Sequence, residues 1–318
     1  MTAGPGGGVV SSVDRFQRRH PVVGFPWAVA KRYGEDHGGW LGALIAYYGF
    51  FSLYPLLVVF VTVATWVLRD RPDQLRRVLE ALWSRLPFVS DQLSVEVQEQ
   101  VRSLTGQGWV IGVSMLVALW GGTGVVRVLQ DTVNTIWGVP RFRRPNFVLK
   151  VVRGLAVIAL VGIGVVGTAV VAGITVVVDL PIAAAVGAAV ANIVLAAALA
   201  IGVYHLVIAT RVRTADLLPG ALITGVGTYG LSLLGGLYVQ RVVARMSGIY
   251  GPFASTIGLL AFVSLSVQVF VIATEVNAVR ARQLWPRALG RDLGPADRRA
   301  IDLTMQREAL GALDETPP

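Results

Sequence analysis

Six stretches of the chain run without one Asp, Glu, Lys or Arg: residues 38–68, 103–126, 154–178, 180–210, 217–240 and 246–274. Each is longer than the roughly 20 residues an α-helix needs to cross the hydrocarbon core of a bilayer. In that core a helix satisfies every backbone donor and acceptor within its own segment, which an open strand cannot do. The sequence therefore predicts an all-α, polytopic integral membrane protein. Six transmembrane helices are expected at about 40–68, 109–137, 154–178, 182–209, 217–240 and 249–278. Composition agrees, because 54% of the 318 residues are hydrophobic, 15% are charged and the mean hydropathy is +0.63, beyond the range of soluble domains.

Three regions follow: a cytoplasmic N-terminal tail and interfacial segment (1–37), the six-span membrane domain (38–280) and a cytoplasmic C-terminal tail (281–318). Residues 1 to about 10 read as disordered. Residues 15–33 mix Arg15, Arg18, Arg19, Lys31 and Arg32 with Phe16, Phe25 and Trp27, the pattern of a segment lying on a membrane face. The glycine-rich start, Gly4 to Gly8, shows no short apolar core with a cleavage site, so the first span is expected to act as its own insertion signal. Absence of cysteine excludes disulfides and thiolate chemistry.

The net charge of +9 raises the question of nucleic acid, and its distribution answers it. An even number of spans places both termini on one side, and 19 of the 28 Lys and Arg residues fall on that side against eight on the other. The positive-inside rule makes the richer side cytoplasmic. The excess is a topology signal and an attraction for anionic headgroups, so nucleic acid is not an expected partner.

The sizeable polar insertion, 69–107, lies between the first two spans and carries Leu75, Val78, Leu79, Leu82, Trp83 and Leu86 at helical spacing. It reads as an external amphipathic helix broken at Pro87. Between spans three and four the turn is hardly more than Asp179 and Pro181, which makes those helices antiparallel neighbours. Small residues four apart, Gly164 with Thr168 and Ala169 with Gly173, suit close packing there.

Chemistry is sparse. His20, His37 and His205 are scattered, and no HExxH, phosphate-binding loop, nucleophile elbow or pair of placed carboxylates appears. No enzyme activity, metal or cofactor is expected. Polar residues inside the spans are the remaining candidates. Thr123, Arg127, Asp131 and Asn134 fall at i, i+4, i+8 and i+11, along one stripe of the second span. Ser264, Gln268 and Glu275 make a sparser stripe on the sixth. A charge at mid-membrane costs about 2.5–3.5 kcal/mol on insertion scales, so such residues face the bundle interior. Pro55 lies near the middle of the first span, where it removes a donor and should bend the helix, with Ser52 or a hydroxyl of Tyr47, Tyr48 or Tyr54 near the freed carbonyl. Tyr48, Ser52, Pro55, Arg127, Asp131, Asn134, Gln268 and Glu275 form the candidate polar path. Arg127 is expected to pair with Asp131, and Asn134 to lie level with Glu275 in a cytoplasmic-side gate.

The stretches "AYYGFFSLYPLL", "ALWGGTGVVRVLQDTVNTIWGV", "LLPGALITGVGTYGLSLLGGLYV" and "IYGPFASTIGLLAFVSLSVQVFVIATEVNA" together resemble the YihY/BrkB family of bacterial inner-membrane proteins, over roughly residues 35–285. The resemblance implies six spans with cytoplasmic termini in the inner membrane. Members have carried the labels ribonuclease BN and virulence factor; no nuclease site is present in this sequence. The chain departs from the family pattern at Tyr204-His205, at Ala261-Phe262-Val263 and at Thr274.

Two functional expectations follow from different classes. One is a permease or transport-related protein, with the lipid bilayer and a small solute or ion as partners and a homo-oligomer left open. The other is a non-transporting envelope protein that holds partners through its external insertion and tail.

Overall fold

The computed structural model describes residues 6–68, 70–85, 123–177, 182–238, 253–289 and 293–314. Apart from one short 3₁₀ turn, Arg141–Arg143, every described element is an α-helix. They are α1 (Gly6–Arg19), α2 (Pro21–Glu35), α3 (Gly38–Val67), α4 (Pro72–Arg85), α5 (123–136), α6 (Phe147–Val177), α7 (Ile182–Val207), α8 (Thr214–Tyr238), α9 (Phe253–Ala281) and α10 (Pro295–Asp314). Four stretches of helix are long and apolar enough to cross a membrane: Phe147–Gly164, Ala184–Val207, Thr214–Gly235 and Thr256–Ala281. Gly38–Leu53 is a shorter apolar stretch within α3. The expected second span is described only from residue 123, and the part of the insertion from 86 to 107 lies outside the described residues. Its beginning, α4, is helical as its leucine spacing predicts, and packs on α6.

Around the bundle α6 packs on α7, α7 on α8, α8 on α9, and α9 on α3. The short α6–α7 connection and the small residues produce the close pairing they predict: a Cβ at Gly164 would meet Leu199 and one at Gly167 would meet Leu195. The core they enclose includes Ile45, Val133, Trp137, Val157, Ala200, Tyr204, Leu217, Val271 and Ala278. Outward positions are equally apolar; Val186, Val190 and Val194 make an exposed stripe on α7, as do Leu222 and Val226 on α8. A soluble helix would carry polar residues there. Hydroxyls inside the spans bond back to their own helices, Thr224 to the Gly220 carbonyl, Ser266 to Phe262 and Thr274 to Phe270, so none needs water.

A second layer covers one end of the bundle. The chain is helical from Gly6, where the sequence reads as disordered. α2 packs on α9 and α3, and α1 on α2. Ala28, Val29, Val276, Val279, Leu284 and Ala300 form their own apolar cluster, joining α2, the end of α9, the strap after it and α10. The two segments read as tails therefore close on each other over the ends of the spans.

Candidate functional site

The candidate residues of the sequence separate into three places. Asp131 does not pair with Arg127 one turn earlier. Its carboxylate Oδ1 lies 3.0 Å from Lys150 Nζ and 3.3 Å from Arg144 Nη1. The loop after α5 folds back and brings both cations to it; Arg144 also donates to Thr135 Oγ1 and to the Val139 carbonyl. Arg127 instead lies over the Phe147 ring, 4.7 Å from the centroid, a cation–π contact at the start of α6.

Asn134 is buried, and its amide grips the end of α7. Nδ2 donates to the Val207 carbonyl at 2.9 Å and to the Gln130 carbonyl at 2.7 Å, and Oδ1 accepts from Ala209 N–H at 2.8 Å. One side chain thus satisfies groups on both sides of a helix end that has lost its own continuation. From α7, Tyr204 stacks on Phe270 and its hydroxyl lies 3.3 Å from Thr274 Oγ1. Asn134 is therefore tied to the α7 terminus, and among the described residues its contacts do not gather it into one cluster with Arg127, Asp131 and Glu275.

On α3, Ser52 is buried, while Tyr48 is partly exposed, its ring beside Gly124 at the start of α5. The helix runs on through Pro55, whose side chain lies outside the described set.

Gln268 and Glu275 stand under α2. The junction of α2 and α3 is tight: His37 takes a left-handed conformation, φ 55°, and Gly38 lies so close to the Tyr33 ring that a Cβ would collide with it. The Tyr33 hydroxyl consequently reaches into the bundle and donates to Gln268 Oε1 at 2.6 Å, while Gln268 Nε2 donates to the Gly39 carbonyl at 3.2 Å. At Gly42 a Cβ would come within 2.5 Å of the same amide, so the glycine provides its space. Two turns further along α9, Glu275 is 0% exposed and neither carboxylate oxygen has a hydrogen-bond partner among the described residues. Arg32, Glu35 and Asp36 of α2 are the charges that act on it. Arg32 is itself buried, and its Nε lies 2.7 Å from Asp36 Oδ2. Two residues past Glu275, Asn277 Oδ1 accepts from Gly220 N–H at 2.7 Å, and Arg282 donates to the Trp137 carbonyl, tying α9 to α8 and α5.

Outside this lies a polar clasp. Asp297, in the first turn of α10, accepts from Arg287 Nε at 2.8 Å, Lys31 Nζ at 3.2 Å and the backbone N–H groups of Ala288 and Gly294. Arg287 also reaches Glu35 at 2.6 Å; Gln17 donates to the Arg287 carbonyl, and Asp14 accepts from Leu289 N–H. Burial pushes the Asp297 carboxyl up, but these four donors overcome it and hold the group below the usual aspartate range. Arg32, Asp36, Arg287 and Asp297 escape a reading confined to the spans. The available signal is the i,i+4 spacing of Arg32 and Asp36 immediately before an uncharged run, where a buried ion pair can seat.

A helical bundle with apolar outer faces, polar side chains turned inward and a sealed cap of terminal helices defines a multi-pass membrane protein. The profile of the family described as Virulence factor BrkB matches residues 29–294. The chain belongs to that family. It is 24% identical over 161 residues to the inner membrane protein YhjD of Escherichia coli K12, a match covering 49% of this chain and 46% of YhjD. It is also 27% identical over 119 residues to an uncharacterised protein of Dickeya dadantii 3937, covering 37% of this chain and 35% of that one. The chain thus spans less than half the length of either curated relative. No solved structure matches it. An inner-membrane relative and the apolar helices together point to a multi-pass protein of the inner membrane.

Proposed function

We propose that the chain is a permease or transport-related protein that moves a small solute or ion across the bacterial inner membrane, and that it carries out no enzymatic reaction. The observation that supports this reading is Glu275: a carboxyl group wholly enclosed at one end of an apolar span, with no hydrogen-bond donor among the described residues. Structural carboxylates in such places are paired; one that is not is placed for a ligand that comes and goes. Purified protein in liposomes tests the reading. Solute- or ion-dependent flux is expected, with Glu275→Gln lowering its rate at least tenfold while the protein still elutes as a folded species. Flux-silent wild-type protein that co-purifies a partner would favour an envelope protein that holds partners and does not transport.

In the same reading both termini face the cytoplasm, supported by the distribution of 19 basic residues against eight. Reporter fusions at Val139 and after Arg287 are then expected to report the cytoplasm, and one at Val89 the outside. An inside signal at Val89 inverts the arrangement and places the α1–α2–α10 cap on the external face.

A further inference from the structure

The Glu275 carboxyl group lies in the interior, and neither oxygen accepts a hydrogen bond from the described residues. An ionised carboxylate in such a place, with no donor, is heavily disfavoured, and two remedies exist: a bound cation or a proton. Among the described residues no three His, Asp or Glu side chains are grouped to hold a metal ion, and a proton needs no such group.

The surrounding charges argue the same way. α2 presents Arg32, Tyr33, Glu35 and Asp36 toward it. α3 contributes no charge, because residues 38–67 contain none, and the single charged residue of α8 is Asp216, in its first turn. On α9 and just beyond it, Arg280 is exposed and Arg282 is engaged with the Trp137 carbonyl. One buried guanidinium, Arg32, therefore serves the site, and it is committed to Asp36 at 2.7 Å with Glu35 at 4.0 Å. A further negative charge on Glu275 has no counterion unless Arg32 changes partner.

We propose that Glu275 is a proton-binding site: its carboxyl is protonated while Arg32 pairs with Asp36, and it releases the proton to cytoplasmic water when Arg32 turns to pair with it. The step balances. The O–H bond of Glu275 breaks, the proton leaves to water, the guanidinium remains protonated throughout, and Asp36, buried at the end of α2, gives up Arg32. The site itself stands on geometry; that the proton drives movement of another solute rests on the transport reading above.

Infrared spectroscopy of the full chain in lipid nanodiscs tests this, following the C=O stretch of protonated carboxyl groups as pH is raised. At neutral pH a band is expected that shifts on incorporation of carboxyl-¹³C glutamate and is missing in Glu275→Gln. The isotope shift assigns the band to a glutamate, and its displacement in the Arg32 and Asp36 variants ties it to Glu275 even if Glu275→Gln fails to fold. Asp36→Asn, which frees Arg32, should move loss of the band to lower pH by roughly one unit, a tenfold change in proton affinity. Arg32→Gln should let the band persist to higher pH. Absence of a Glu275-dependent band at every pH where the chain is folded overturns the proposal, as does a band that appears only when Na⁺ and K⁺ are removed, which would make the site one for a monovalent cation. Flux-silent protein that shows the band keeps the site and loses the transport reading, whereas flux without the band does the reverse.

Discussion

Asn134→Ala is expected to lower stability in detergent by roughly 1–3 kcal/mol for each of the two groups it strands, the Val207 carbonyl and the Ala209 N–H. Both lie at the end of α7, where the chain leaves the helix and the intrahelical partners run out. Val207 and Ile208 are buried, so water cannot replace the amide without opening the packing around Tyr204. The bond from Nδ2 to the Gln130 carbonyl matters less, because that carbonyl belongs to the same helix and precedes it by one turn. Asn134→Asp separates the two halves of the grip. It retains the acceptor for Ala209, loses the donor to Val207 and adds a charge, and should be at least as damaging as the alanine. Thermal unfolding of the purified variants measures both. A loss below about 1 kcal/mol for Asn134→Ala would mean that the α7 end relaxes onto other donors, and the latch would carry little of the α5–α7 contact.

The contrast between Asn134 and its neighbours shows what a single sequence makes legible. Long uncharged runs are a local property, and the cost of placing charge in hydrocarbon is enough to read helices α3, α6, α7, α8 and α9 from them. The stripe Arg127, Asp131, Asn134 also follows from helical spacing alone. Partner choice does not. Asp131 is one turn from Arg127, yet the loop after α5 returns Arg144 and Lys150 to it, two cations against one, and Arg127 finds the Phe147 face. Which of several nearby cations a carboxylate takes depends on how a loop folds back, and no periodicity encodes that.

The cap was still less legible. Residues 15–33 read as a segment lying on the membrane face and those from 281 onward as a tail, because nothing local in either tells that they pack on each other and on the end of α9. Gln17 and Arg287 are 270 positions apart in sequence and 2.5 Å apart in space. The shared stripe of Gln268 and Glu275 on α9 could be read from their spacing along the helix. That α2 would lie over both could not, because it requires the left-handed turn at His37 and the absent side chain at Gly38.

Asp297→Asn is expected to cost the cap about 3–5 kcal/mol, the range for removing one member of a buried ion pair. The aspartate side chain is 1% exposed and the Arg287 side chain 3%, so their contact at 2.8 Å is shielded from the screening that makes surface pairs weak. Asparagine keeps one oxygen for the backbone donors at Ala288 and Gly294. It leaves Arg287 with Glu35 alone as its carboxylate, and Lys31 with the Ala288 carbonyl. The same substitution should remove an acid sensitivity. Because the folded carboxyl is held below the ordinary aspartate value of about 4, its contribution is complete above that value and disappears as pH falls through the depressed one. Limited proteolysis of the strap between α9 and α10, followed from neutral pH downward with an acid-tolerant protease, reads both effects at once. Wild-type protein should resist cleavage until pH drops below the usual carboxylate range, and Asp297→Asn should be cut at neutral pH with a flat profile. Identical profiles for the two would show that the clasp is held by the apolar cluster of Ala28, Val29, Val279 and Leu284 and not by the charge at its centre.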